Sequence, residues 1–182
     1  HEQVIAKGKI GGQARAMVVT ASIPRCIEYY HAVNQSLSAR HSPYKAIIAF
    51  SGEREMGEGQ PVLTSSGMNG FPDASIPKTF KKDPYRFLIV ADMFQTGYDE
   101  PLLHTMYVDK ILTDIKAVQT LSRLNRAHPK KHDTFVLDFA NNPQVIIDSF
   151  SQYYRTTILS GETDPNKLYD VIAIMEQYEV YS

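Results

Sequence analysis

Short, continuous apolar runs alternate along the chain with amphipathic and polar stretches. The runs lie at residues 16–20, 45–50, 86–91, 104–109 and 134–139. They are rich in β-branched and aromatic residues, which is typical of strands that are buried on both faces of a parallel sheet. Between the first two runs, apolar side chains recur at helical spacing at Ile27, Tyr30, Val33 and Leu37, following Pro24. The pattern predicts an α/β fold with right-handed strand–helix–strand crossovers.

Two parts of the chain depart from this alternation. Residues 51–78 are rich in glycine and proline, which predicts a loop-rich insertion at the surface. After residue 140 there are two amphipathic patterns, each with a proline in its first turn, and these predict C-terminal helices. We therefore expect a linker at 1–15, an α/β domain at 16–140 and a helical extension at 141–182.

The composition is that of a globular domain, and it argues against a disulfide, a histidine metal site and a membrane span. The chain has 182 residues, of which 43% are hydrophobic and 21% are charged, with a net charge of −1, as expected for a soluble globular domain. The single cysteine, Cys26, excludes an intrachain disulfide and fits a reducing compartment. The histidines lack metal-ligand spacing, and no apolar stretch reaches the length of about 20 residues that a membrane span needs. Because the chain begins with neither Met nor a signal peptide, we expect it to be a piece of a longer protein.

A basic stretch at residues 116–132 carries the first candidate chemistry. It contains five Lys or Arg residues and no acid. On a continuous helix, one face would present Gln119, Ser122, Arg123 and Arg126, and the opposite face would be apolar. Because no carboxylate lies in the stretch, we expect the two guanidinium groups to lack an acidic partner and to suit a phosphate. A merely solvated polar face is the alternative.

A second candidate follows the predicted strand at 86–91. Gly97 permits a tight turn near the carboxyl end of that strand, where open α/β sheets bind ligands. Asp99 has the chemistry to accept a hydrogen bond from a sugar hydroxyl, and it has equally the chemistry to cap an Asx turn. The residues alone leave these two roles open.

Taken together, these stretches resemble a known family. The pattern Gly97-x-Asp99-x-Pro101, followed by Gln119-x-x-Ser-Arg-x-x-Arg126, resembles motifs V and VI of superfamily two helicases, and "AMVVTASIPRCIEYY" resembles their motif IV. Over residues 14–140 the chain resembles the restriction (motor and nuclease) subunit of type I restriction-modification enzymes. The resemblance is most specific in "FQTGYDEPLLHTMYVDK" and "AVQTLSRLNR".

The resemblance implies an activity and partners. Such a subunit joins a nuclease domain to two RecA-like motor domains and a helical domain, and with methyltransferase and specificity subunits it uses ATP to pull in double-stranded DNA before cutting it. This chain would be the second RecA-like domain, in a bacterial or archaeal cytoplasm. The sequence contains no phosphate-binding G-x-x-x-x-G-K-[ST] loop, no Asp-Glu box and no nuclease motif. ATP and Mg²⁺ would therefore be held mainly by the first motor domain, and we expect the chain alone to hydrolyse no ATP.

The resemblance also implies residue roles. Arg126 matches the arginine finger, Arg123 matches the second phosphate-facing arginine, and Gln119 would position the nucleotide. Gly97 and Asp99 would contribute to the nucleotide site. DNA phosphates would be contacted at two turns, at Thr20, Ser22, Ser51 and Gly52. Two alternatives remain open: the motor domain of another superfamily two DNA or RNA helicase, and a non-catalytic α/β module that binds a nucleotide or a protein partner.

Overall fold

The computed structural model describes residues 5–55, 57, 59, 61–94 and 97–160, with side chains through residue 153. Its main sheet consists of β1 (Arg15–Thr20), β2 (Lys45–Phe50), β5 (Tyr85–Ala91), β6 (Leu103–Asp109) and β7 (Phe135–Asp138). A small hairpin is formed by β3 (Arg54–Glu55) and β4 (Val62–Leu63). The helices are α1 (Ile23–Ala39), α2 (Ser65–Asn69), α3 (Ile76–Phe80), α4 (Asp114–Leu121) and α5 (Pro143–Ser160). The second predicted C-terminal helix lies outside the described residues.

The five main strands are parallel and lie in the order β2-β5-β1-β6-β7. Side chains alternate between the two faces of each strand, so β1 sends Ala16 and Val18 to one face and Met17 and Val19 to the other. One layer of core contains the apolar side chains of α1, and the opposite layer contains those of α3 and α4. The prediction of an α/β fold with a mainly parallel sheet flanked by helices is confirmed, and the architecture is compatible with a RecA-like domain.

The start of α1 follows from its first residues. Ser22 has an extended backbone, and its hydroxyl oxygen accepts a hydrogen bond from the backbone N–H of Arg25 at 3.4 Å. Pro24 occupies the first turn, where its missing N–H costs nothing. The helix therefore begins directly at the carboxyl end of β1, as the sequence predicted, and its first turn faces that edge of the sheet.

The insertion at 51–78 contains short elements that protect a sheet edge. β2 is the outermost strand on its side of the sheet, and two side chains of α2 bond to its backbone. The Ser65 hydroxyl donates to the carbonyl of Phe50 and accepts from its N–H, at 2.8 and 2.7 Å. The Asn69 side-chain amide donates to the carbonyl of Ile48 at 2.7 Å and accepts from its N–H at 3.0 Å. α2 therefore supplies the hydrogen bonds that a neighbouring strand would supply.

β7 differs from its prediction. Its run was expected to be buried on both faces, yet the side chains of Phe135, Val136, Leu137 and Phe139 are 40% to 59% exposed. In the described part of the chain, β7 lies at the end of the sheet and pairs with β6 alone. Strand formation was predicted correctly, but the expectation of burial was wrong, because apolar composition does not distinguish an edge strand from a central one.

Candidate functional site

The residues of two predicted motifs meet at one exposed face of the domain. Arg123 donates from Nη1 to the backbone carbonyl of Tyr98 at 3.0 Å. Arg126 Nε lies 3.2 Å from Asp99 Oδ1. The segment that contains Gly97 and Asp99 and the segment that contains the two arginines are thus joined directly, although they are far apart in sequence.

The backbone around Gly97 places Asp99 at the surface. Gly97 has φ +70°, a conformation that side-chain-bearing residues rarely adopt. Tyr98 is buried, its ring packs edge-on against Phe94 at 5.0 Å between centroids, and burial raises the pKa of its hydroxyl. With Tyr98 anchored in the core, the next residue, Asp99, extends into solvent with its side chain 70% exposed.

The predicted helical face for the arginines was wrong in its geometry. α4 ends at Leu121, a 3-10 helix follows at Ser122–Asn125, and Arg126 has an extended backbone with φ −72° and ψ 124°. Tightening of the last turn is common where a helix runs out of intrahelical partners. Gln119 is exposed on the last turn of α4, and Arg126 reaches the site from the chain beyond the helix.

The expectation that both arginines lack an acidic partner was also wrong for Arg126. Its partner, Asp99, comes from a distant segment, and inspection of residues 116–132 could not reveal it. The two side chains are 48% and 70% exposed, so water competes with the pair, and a stronger anion has access to Arg126. Burial and the neighbouring charge of Arg126 lower the pKa of Arg123, while Asp99 opposes that shift.

The predicted DNA contacts divide into buried and exposed groups. Thr20 is fully buried, and its hydroxyl donates to the carbonyl of Val90 at 2.9 Å, so in this structure the hydroxyl is not exposed to a phosphate. Its β-strand position turns the side chain into the core. Ser22, Ser51 and Gly52 are exposed at the carboxyl ends of β1 and β2, and Gly52 has φ +80°. These three remain accessible to a ligand.

Arg25 is a residue near this edge that the sequence did not single out. Its guanidinium bonds to Asp109 at 2.9 Å through Nε and to Glu28 at 3.1 Å through Nη1. Glu28 lies one turn further along α1, but Asp109 ends β6 and comes next to Arg25 only through the fold. The basic group beside Ser22 is thus already paired with two carboxylates.

Lys131 is a second residue that the sequence did not single out. Its Nζ donates to the carbonyl of Leu124 at 2.9 Å and to the carbonyl of Arg126 at 2.8 Å. Beside it lies a cleft of about 270 Å³ that is lined by residues 124–127 and 131–134. The sequence alone gives no reason to distinguish Lys131 from the adjacent Lys130.

Two further findings concern the described part of the chain alone. None of its helices has the length and apolar character that crossing a bilayer requires. Within it, His, Cys, Asp and Glu side chains do not gather into a group of three or more that could hold a metal ion.

Comparison with known proteins identifies relatives of the chain. Residues 63–141 match the family model described as type I restriction enzyme subunit R domain 3. This range includes Gly97, Asp99, Gln119, Arg123 and Arg126. The match therefore covers both segments that meet at the exposed face.

Curated relatives extend the similarity beyond that range. A putative type I restriction enzyme MjaIXP endonuclease subunit of Methanocaldococcus jannaschii is 27% identical over 169 residues, which cover 90% of this chain and 15% of the relative. The type I restriction enzyme HindI endonuclease subunit of Haemophilus influenzae is 30% identical over 88 residues, which cover 46% of this chain and 8% of the relative. The chain thus spans only a small part of the length of these relatives. It is similar to R subunits of type I restriction enzymes, in agreement with the resemblance that its motifs carry.

Proposed function

We propose that the chain acts as the second RecA-like motor domain of a type I restriction subunit. In this role it supplies an arginine finger and DNA-backbone contacts for ATP-driven translocation of double-stranded DNA before cleavage. The observation that carries the proposal is the convergence of Arg123 and Arg126 on the Tyr98–Asp99 segment at an exposed face. The parallel α/β sheet and the similarity to restriction subunits support it.

Arg126 suits the role of the finger because of its chemistry and its exposure. A guanidinium offers a planar fork of donors that fits phosphate oxygens, and the charge that develops on a transferring phosphoryl group is stabilised by such a fork. Asp99 holds Arg126 by an exposed pair, which a phosphate dianion can replace at little cost. Once released, Asp99 is available to a ribose hydroxyl, so the two groups would act on the same nucleotide.

Arg123 has a different position from Arg126. Its bond to the Tyr98 carbonyl ties it to the backbone next to Asp99. Arg123 therefore joins the two motifs while keeping its positive charge near the phosphates. Gln119, exposed one turn earlier, would position the nucleotide from the same side.

ATP is the proposed substrate, and Mg²⁺ would neutralise charge on its phosphates while the first motor domain of the same subunit holds both. The chain then contributes only the groups that reach across the cleft between the two domains. Methyltransferase and specificity subunits would complete the enzyme, and the specificity subunit would choose the DNA sequence. Ser22, Ser51 and Gly52 would meet DNA phosphates through hydroxyl and backbone N–H groups, without reading bases.

The test is Arg126→Ala in the intact restriction subunit. Loss of an arginine finger slows phosphoryl transfer by about 10³-fold to 10⁵-fold, so we expect ATP-dependent translocation and the dependent cleavage to be abolished. The melting temperature should hardly change, because the side chain is half exposed. Arg126→Lys should also fail, since an ammonium group keeps the charge but loses the fork. Arg123→Ala should behave similarly, with a smaller loss.

Arg40→Ala provides the matched control, because Arg40 is an exposed arginine at the far end of α1. Its ATP turnover should remain within twofold of the wild type. If Arg126→Ala retained near-normal turnover per folded molecule, Arg126 would not be a finger. If the chain bound nucleotide but the intact subunit, wild type included, hydrolysed no ATP, the chain would instead be a non-catalytic module.

A further inference from the structure

We propose that Lys131 is a positioning residue for Arg126: by bonding two backbone carbonyls, it holds the chain in the shape that brings the Arg126 side chain to Asp99 and to the nucleotide. This inference rests on the proposed function of Arg126. It adds a residue that acts through the finger without touching the phosphates.

The geometry of the segment shows why it needs a support. The 3-10 helix ends at Asn125, and Arg126 turns into an extended conformation, so the carbonyls of Leu124 and Arg126 have no helical partners ahead of them. Lys131 Nζ donates to both carbonyls, at 2.9 and 2.8 Å. Charge-assisted hydrogen bonds of this kind are stronger than bonds between neutral groups. A single ammonium group thus bridges the backbone on both sides of Asn125.

Burial and the neighbouring carboxylates have opposite effects on the pKa of Lys131, and the effect of burial is the larger. Burial lowers the pKa of Lys131, and the carboxylates of Glu100 and Asp99 oppose that shift, with Glu100 the stronger. Glu100 is 2% exposed, and one of its carboxylate oxygens accepts from the backbone N–H of Leu102 at 3.0 Å. Lys131 therefore contacts the backbone of the finger directly, and the carboxylates that follow Gly97 act on it through their charge.

The adjacent Lys130 offers a contrast within the same loop. Its side chain is exposed and lies against Gly11. Lys130 and Lys131 have the same side chain and are adjacent in the sequence. The fold gives only Lys131 the contact with the Arg126 carbonyl, which makes Lys130 a matched control.

The experiment is a double-mutant cycle in the intact restriction subunit, with steady-state DNA-stimulated ATP hydrolysis as the measurement. Lys131→Met removes the donors and keeps an unbranched side chain that is one atom shorter. Because a small displacement of a catalytic group costs on the order of 100-fold, we expect kcat to fall by about 10-fold to 100-fold, with KM for ATP within about twofold. Lys131→Arg, which keeps charge and donors, should recover at least part of that loss. Lys130→Met should leave kcat and KM unchanged.

The double variant Arg126→Ala/Lys131→Met separates positioning from general stability. If Lys131 acts only through Arg126, the double variant should be no slower than Arg126→Ala alone. If the effects instead multiply, or if Lys131→Met hydrolyses ATP normally while Arg126→Ala does not, the inference fails and the proposed function stands. If Arg126→Ala itself hydrolyses ATP normally, the proposed function fails, and the inference fails with it.

A second variant covers the case in which Lys131→Met destabilises the fold. Should Lys131→Met lower the melting temperature by several degrees, Lys131→Gln, which retains an uncharged donor, takes its place in the cycle. The same non-additivity is then required of the Gln variant, and additive losses there would overturn the inference.

Discussion

At the scale of single residues, hydroxyl side chains near the carboxyl ends of the strands have opposite environments. Thr20 is the last residue of β1 and turns into the core, whereas Ser22 and Ser51 are exposed at the same edge of the sheet. All three carry hydroxyl groups, and all three were expected to contact phosphate. The alternation of side chains along a strand decides which of them can do so. Position at a strand end is therefore insufficient evidence for a ligand contact.

Thr20→Val tests the buried assignment. The change keeps the shape of the side chain and removes the hydroxyl that donates to the Val90 carbonyl at 2.9 Å. Losing a buried hydrogen bond should lower the free energy of unfolding by about 1–2 kcal/mol, as measured by urea denaturation. The affinity for duplex DNA should remain within twofold. Ser51→Ala, at an exposed position, should change stability by less than about 0.5 kcal/mol. Weaker DNA binding by Thr20→Val at unchanged stability would support a direct contact between the Thr20 hydroxyl and a DNA phosphate.

At the scale of secondary-structure elements, the two edges of the sheet differ in how they are covered. On one edge, the α2 side chains of Ser65 and Asn69 bond the backbone of β2. On the other edge, the apolar side chains of β7 and of Phe139, which follows it, are 40% to 59% exposed. Unpaired edges are prone to pair with other chains, so α2 has a protective role as well as a packing role.

The role of α2 can be measured by amide hydrogen exchange. Ser65→Ala removes the acceptor of the Phe50 N–H, and Asn69→Leu removes the acceptor of the Ile48 N–H. We expect exchange at Phe50 to accelerate at least tenfold in the first variant, and exchange at Ile48 to accelerate similarly in the second, since each lost bond is worth about 1–3 kcal/mol. Each variant is the control for the other. Equal acceleration at both amides in either variant would show that α2 acts as a whole and not through these two bonds.

The exposure of β7 and of Phe139, the residue after it, leads to a prediction about stability. Phe139→Ser, at a side chain that is 59% exposed, should change the free energy of unfolding by less than about 1 kcal/mol. Met106→Ala, at a fully buried side chain of the neighbouring strand β6, should lower it by about 2–5 kcal/mol. Urea denaturation of the two variants measures both values. A loss at Phe139 as large as the loss at Met106 would mean that β7 is covered in solution.

At the scale of the whole molecule, the predictable features are those that depend on local pattern. The strands and the start of α1 follow from apolar runs and from Pro24, so the sequence predicted them well. The pairs Arg126–Asp99 and Arg25–Asp109 join distant segments, and only the fold brings them together. The roles of Lys130 and Lys131 differ for the same reason. The sequence therefore predicted which segments form the candidate site better than it predicted the contacts of individual side chains.

The overall charge gives the last prediction, which concerns DNA binding by the 182-residue chain. Its net charge is −1, so attraction to DNA has to come from local cations. Near the carboxyl ends of the strands, Arg25 is already bonded to Asp109 and Glu28, while Arg54 is exposed on β3, just beyond Gly52. Binding to duplex DNA should therefore be weak, independent of sequence and reduced by salt.

Variants at this edge should separate charged from neutral contacts in a titration of affinity against salt concentration. Each phosphate that a cation neutralises adds about −0.9 to the slope of log K against log salt, so Arg54→Ala should flatten the slope by about one unit. Ser51→Ala should weaken binding at every salt concentration without changing the slope, because a hydroxyl group releases no counterion. Arg40→Ala, at the far end of α1, should alter neither quantity. Binding that depended on DNA sequence and persisted at high salt would contradict backbone recognition, because contacts with base edges, unlike phosphate contacts, carry sequence information.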